Sequence, residues 1–267
     1  MKFLRFIRQY GPVARNDNMY DETIRRSAKR NGVEPIKFQH PAEEQILGCF
    51  GDDDSQPTSV ILTGTAGDGK THLLREVWQK LGGDIELWSS DNPYLLYSLQ
   101  LSDGSSKKLH FIRDLSSWAP QQGLQWEDEK LGLIQRFCES IYEESPEDIF
   151  LIAANDGQLV ESWRRLPSSE LICRTRDLFE DLLVEDKQSA EGVNLKFFNL
   201  SRWSSAELFT HVYDAFTKHD GWSMCYEEST GDDDTFGAHC PVRHNYEQLK
   251  DPLVYSRIRC LIELCDH

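Results

Sequence analysis

The sequence predicts an α/β fold of three layers, a five-strand parallel sheet with helices on both faces, followed by the start of a helical domain. Three observations carry this. Short β-branched apolar runs alternate with amphipathic stretches of helical period, the pattern of crossover units around a parallel sheet. The first apolar run stops at a glycine and a helical pattern opens five residues later. At 39% hydrophobic and 28% charged residues, the chain is that of an ordinary soluble globular protein.

The elements follow in order. Residues 1–37 have no strong periodicity and read as a basic arm. PAEEQILGCFGDDDSQP (41–57) reads as a short helix closed by an acidic turn. TSVILTG (58–64) is a buried strand with a glycine stop. GKTHLLREVWQKLGG (69–83) places Leu73, Leu74, Val77 and Leu81 on one helical face and ends in glycines. DIELWSS (84–90) is read as the second strand and KKLHFIRDLSS (107–117) as the third, reached through a polar loop around SDGSSKK. LGLIQRFCESIYEES (131–145) is an amphipathic helix that stops before Pro146. DIFLIAANDG (148–157) is the fourth strand, followed by helix to about Val184 with an interruption near Pro167. VNLKFFNL (193–200) is the fifth strand. SSAELFTHVYDAF (204–216) is a helix opened by a serine cap with Glu207 at the box position. Residues 219–244 are polar and acidic and read as an insertion, and the helical pattern from 245 is still amphipathic where the chain stops. The expected organisation is therefore an arm at 1–37, a core at 38–218, an insertion at 219–244 and, at 245–267, the opening of a helical domain cut short.

The segment GTAGDGKT (64–71) matches G-x-x-x-x-G-K-[ST] residue for residue. Glycines let the backbone curl so that successive N–H groups wrap a phosphate, and the dipole of the following helix adds to the attraction. The expected nucleotide contacts are Gly64, Thr65, Ala66, Gly67, Asp68, Gly69, Lys70, Thr71 and His72. Lys70 would reach the β- and γ-phosphates and the Thr71 hydroxyl would ligate Mg²⁺. The position between a buried strand and a helix is the context that a P-loop NTPase fold requires.

Two further positions complete a phosphate site. Asp114, at the tip of the third strand, is either the acid that positions Mg²⁺ or a cap for the next turn. Leu115 follows it, where a glutamate often serves as the base that polarises water. Asp156, Glu127 and Glu129 are the available stand-ins. Asn155, at the tip of the fourth strand, either holds the γ-phosphate and attacking water or helps Asp156 and Gly157 build a turn.

A phosphate loop, an acid-tipped strand and an asparagine-tipped strand, in this order, resemble the AAA+ group of P-loop ATPases over about residues 58–216. The resemblance implies ATP as the nucleotide, assembly into homo-oligomers, and a helical lid that the tail begins. It also implies an arginine finger supplied by a neighbouring subunit. Arg164, Arg165, Arg174 and Arg176 are the candidates, Arg164 or Arg165 preferred; the alternative is helix arginines in surface ion pairs. TGTAGDGKTHLL, AANDG, FFNLSRWS and CPVRHNYEQL are, more narrowly, similar to the ATPase component of bacterial phosphorothioation-dependent DNA restriction systems. That similarity implies a motor or regulator within a multi-protein anti-phage complex. The alternative is an assembly switch that holds nucleotide with little hydrolysis.

Charge bears on partners. Residues 1–37 hold nine Lys/Arg and four acids, so they carry +5 while the other 230 residues carry −21 of the net −16. A chain this acidic repels DNA except through partner proteins or the basic arm. Cys225, His239, Cys240 and His244 lie within twenty residues of one another and are either a structural Zn²⁺ site or an irregular loop. Seven scattered cysteines predict a reducing, cytoplasmic setting. No apolar run approaches a membrane span, and no Ser–His–Asp or nuclease-type carboxylate set is evident.

Overall fold

A computed structural model describes residues 2–10, 20–51, 56–88, 92–120, 124–229 and 236–265. Chain contacts divide it into two compact units, a sheet-bearing unit at Pro41–Arg202 and a helical unit built from Met1–His40 and Trp203–His267. The helical unit opens with α1 (Lys2–Ile7) and α2 (Tyr20–Asn31).

The sheet unit runs α3 (Ala42–Gly48), β1 (Ser59–Thr63), α4 (Lys70–Lys80), α5 (Ile85–Trp88), β2 (Tyr94–Gln100), β3 (Ser106–Ile112), α6 (Leu115–Trp118), α7 (Asp128–Ser140), β4 (Asp148–Ala153), α8 (Asp156–Arg164), α9 (Glu170–Val184) and β5 (Leu195–Asn199). The five strands lie in the order β2-β3-β4-β1-β5. β1 is parallel to β4 and to β5, and β4 is parallel to β3. The central strands are apolar almost throughout because both their faces are covered, and every residue of SVILT is buried. On one face, Trp78 of α4 meets Phe111 of β3 edge-on at 5.0 Å between ring centroids. On the other, Phe137 of α7 meets Phe150 of β4 at 5.3 Å and Phe179 of α9 meets Phe197 of β5 at 6.2 Å.

The sheet is mostly, not wholly, parallel. DIELWSS does not form the second strand: its described part is the short helix α5, with Asp84 accepting the Glu86 N–H at 2.8 Å and the Trp88 ring stacked under Arg113. Ser89 and Ser90, the acidic turn at 52–55 and residues 230–235 of the predicted insertion lie outside the described residues. The second strand is YLLYSLQ, antiparallel to β3 from Tyr94↔Ile112 to Gln100↔Ser106. Its period of two turns Leu95 and Leu99 inward and leaves Leu96, Ser98 and Gln100 exposed, as suits an antiparallel edge. The polar loop SDGSS is therefore a hairpin turn. Gly104 takes φ 82° there, and Asp103 accepts the Ser105 N–H at 2.8 Å.

The helical unit resumes with α10 (Ser205–Thr217), α11 (Gly221–Glu228), α12 (Pro241–Leu249) and α13 (Pro252–Cys265). Ser204 caps α10, accepting the Glu207 N–H at 3.3 Å. The N-terminal segment contributes to this unit's core. Phe3, Phe6, Ile24 and Ala28 are buried with Trp222, Phe236 and Tyr246. Trp222 stacks on Tyr246 at 4.0 Å, and the Phe3 ring lies so close to Gly221 that any side chain there would enter it. No helix among the described residues is long and apolar enough to cross a membrane.

Candidate functional site

The glycine-rich loop leaves β1 and curls into α4. Gly64, Gly67 and Gly69 hold φ of 139°, 100° and 83°, values that a residue with a Cβ rarely adopts. Gly64 has a steric reason as well: a Cβ there would run into the Asp68 carboxylate, with Ser201 Oγ at 3.2 Å and Ser201 N at 3.3 Å. Among the described residues, the N–H groups of Gly67, Gly69, Lys70 and Thr71 have no backbone acceptor. These are the orphan donors of a helix N-terminus extended by a loop, a concave set that attracts an anion.

Lys70 folds back over the loop. Its ammonium donates to the carbonyl oxygens of Gly64 at 3.1 Å and Thr65 at 2.6 Å. An ammonium has three N–H donors, so one remains for a ligand. Burial pushes the Lys70 pKa below its ordinary value, while the nearby carboxylates of Asp68, Asp156 and Asp114 pull it back up. The structure thus gathers Lys70, Asp68, Asp156 and Asp114 around one loop.

Adjacent parallel strands explain the gathering. β3, β4 and β1 are neighbours, so their C-terminal ends bring Asp114, Asn155 and the loop to one edge of the sheet. Asp114 caps α6: one oxygen accepts the Ser116 N–H at 2.9 Å and its hydroxyl at 2.6 Å. The other oxygen makes no hydrogen bond to a described residue, which leaves it able to take a cation. Asn155 sits at the N-cap of α8 with its side chain making no capping bond. Thr71 is exposed in the first turn of α4.

Asp156 anchors the loop. Its Oδ1 accepts the Gly64 N–H at 2.9 Å, and its Oδ2 accepts from Asn199 at 3.5 Å. Both oxygens are engaged, so its position is that of a strut. Glu127 occupies the N-cap position of α7 without a side-chain capping bond and pairs with Lys130 at 3.3 Å, and Glu129 lies exposed in the first turn. Sequence reading missed Asn199 and Ser201 as parts of the site. The available signal was two polar residues closing the apolar run FF, at the strand end that register aligns with Thr63.

The arginines lie elsewhere. Arg164 and Arg165 end α8, roughly 12 Å along the helix from Asp156 by its 1.5 Å rise. Arg164 pairs with Glu180 at 2.9 Å and Arg165 donates to the Pro120 carbonyl at 2.6 Å. Arg174 lies over the Tyr142 ring and Arg176 pairs with Asp177 at 2.9 Å.

Of Cys225, His239, Cys240 and His244, the two cysteines share the core of the helical unit and the two histidines are exposed. Among the described residues there is no group of three or more His, Cys, Asp or Glu able to hold a metal. Cys225 is buried in the aromatic core of the helical unit, where burial pushes its thiol up to about 11, while His239 and His244 are exposed. Mg²⁺ needs no such group, being held by one or two carboxylates together with phosphates and waters.

Comparison with protein-family models, with curated proteins and with solved structures gives no match.

Proposed function

We propose that this chain is an ATPase of the AAA+-like type, binding Mg²⁺-ATP at residues 64–71. The observation that carries the reading is the convergence around Lys70 of the loop from β1, Asn155 beyond β4 and Asp114 beyond β3. Open α/β sheets take their ligands outside the carboxyl ends of the strands, and here that edge carries a set of unpaired N–H donors and a half-buried cation. Those groups fit a polyphosphate. The loop N–H groups and the remaining Lys70 donor would hold the β- and γ-phosphates; the Thr71 hydroxyl and the unbonded Asp114 oxygen would hold the metal. Bound Mg²⁺ supplies charge neutralisation across the phosphate oxygens. Asn155, its side chain uncommitted, orients the attacking water. An arginine finger would come from a neighbouring copy, where Arg164 or Arg165, at the end of α8, would have to leave Glu180 or the Pro120 carbonyl to reach the site. A chain of net charge −16 works on DNA through partner proteins, the context implied by the resemblance to anti-phage ATPases.

A second reading is favoured by Leu115. It is fully buried where a hydrolytic base would follow Asp114, and Asp156 is occupied by Gly64 and Asn199. On that reading bound ATP fixes an assembly and is scarcely turned over. Phosphate release, measured beside assembly state across protein concentrations, separates the two. Turnover that rises as the chain assembles supports the ATPase. ATP-driven assembly at background turnover supports the switch, and neither binding nor turnover discards both.

A further inference from the structure

Asp68 occupies the variable position before the Gly69–Lys70 pair, and its carboxylate turns back along the loop. Oδ2 accepts the Thr65 N–H at 2.6 Å and the Ser201 hydroxyl at 2.6 Å, and Oδ1 accepts the Thr65 hydroxyl at 3.0 Å. The Thr65 N–H lies 3.0 Å from Ser201 Oγ as well. Ser201 is held in turn, its N–H donating to Asn199 Oδ1 at 3.0 Å, while the Asn199 amide reaches Asp156 and Asp156 accepts the Gly64 N–H. The bonds close a ring through the loop, the first turn of α8 and the end of β5. It passes both loop residues whose carbonyls receive the Lys70 ammonium.

Resting on the nucleotide-binding reading above, we infer that Asp68 and Ser201 form a positioning pair that holds the glycine-rich loop in its phosphate-binding curve. Two effects of opposite sign separate this role from simple electrostatics. A carboxylate near a phosphate site repels the ligand, so if charge alone mattered its removal would tighten nucleotide binding. If the carboxylate holds the loop, its removal frees Thr65 and the loop must be ordered again on binding, which weakens affinity. The bracing term prevails because Asp68 accepts three hydrogen bonds, and bonds to a charged acceptor are the stronger kind. Ser201 isolates the bracing, being neutral: its loss changes the bond and leaves the charge in place.

The test is equilibrium binding of a fluorescent ATP analogue, with Mg²⁺, to the full chain and to Asp68→Ala, Asp68→Asn, Ser201→Ala and the Asp68→Ala/Ser201→Ala double variant. Thermal unfolding is followed alongside. Asp68→Ala and Ser201→Ala are each expected to weaken binding, Asp68→Ala by about ten-fold. The double variant should lose less than the sum of the two single effects, since the Asp68–Ser201 bond is common to both. Asp68→Asn keeps an acceptor for Thr65 and should bind between wild type and Asp68→Ala, which keeps the test open if the alanine variant unfolds. Equal or tighter binding by Asp68→Ala and Ser201→Ala overturns the inference, as does full additivity in the double variant. Wild type that binds no nucleotide is a separate outcome, since it overturns the functional reading on which the inference rests.

Discussion

The Gly64 N–H donates to the Asp156 carboxylate at 2.9 Å across 92 positions of sequence. This bond ties the start of the glycine-rich loop to the first turn of α8, and so fixes the loop relative to Asn155, the residue immediately before Asp156. Asp156→Ala is expected to destabilise the chain by about 1.5–3 kcal/mol, the range for a hydrogen bond to a charged group, and to weaken nucleotide binding. Asp156→Asn retains an acceptor and should recover most of both. Chemical denaturation read beside nucleotide titration checks the pair of effects.

Gly64 and Gly67 should differ on substitution. Both hold a positive φ, but a Cβ at Gly64 meets the Asp68 carboxylate and Ser201, whereas a Cβ at Gly67 meets nothing within 4 Å. Gly67→Ala carries backbone strain alone, of order 1–3 kcal/mol. Gly64→Ala adds a clash at the Asp68–Ser201 bracing and should cost more, with nucleotide affinity falling in the same order. Urea midpoints of the two variants measured in parallel decide the ranking.

Asp114 has two roles that one pair of variants separates. It caps α6 through Ser116, and its charge acts on Lys70 of the loop. Asp114→Asn preserves the capping acceptor and removes the charge. It should leave stability near wild type while abolishing the Mg²⁺ dependence of nucleotide binding. Asp114→Ala should lose the cap as well, about 1 kcal/mol. If Asp114→Asn binds Mg²⁺-ATP as wild type does, Asp114 is a cap only.

Buried His110 makes stability depend on pH. Its Nε2 lies 2.6 Å from Asp148 and its Nδ1 lies 2.9 Å from the Tyr94 hydroxyl, while the ring stacks on Phe150. Burial holds its pKa below the ordinary 6.5, with the Asp148 bond pulling the other way. In the unfolded chain the imidazole takes up its proton near 6.5, before the folded one does. The unfolded state therefore binds more protons in that window, so stability is full above it and falls as the medium is acidified. Urea unfolding between about pH 5 and 8 should show this slope, and His110→Gln should flatten it.

Much of this fold is legible because its signals are local. The run SVILT is buried on both faces and reads as a central strand from composition alone, and Ser204 with Glu207 marks the start of α10. The misread segment, DIELWSS, has an apolar content that serves one buried contact, Trp88 beneath Arg113, rather than a strand face. The strand YLLYSLQ was hidden because an antiparallel edge strand buries only alternate residues. The N-terminal helices were not legible because their core partners, Trp222 and Tyr246, lie some 200 residues away in the chain. The loop and its lysine were readable from the motif. Asp156 was readable as a site residue but not as a strut, and Asn199 and Ser201 became parts of the site only once register placed β5 beside β1.

The central claim is that Lys70 and the loop around it hold a nucleotide. The direct measurement is calorimetric titration of Mg²⁺-ATP into the full chain and into Lys70→Ala and Lys70→Met. Wild type should bind saturably and neither variant should bind, with both variants folded by circular dichroism. Absence of binding by wild type, or affinity unchanged when Lys70 is removed, would contradict it.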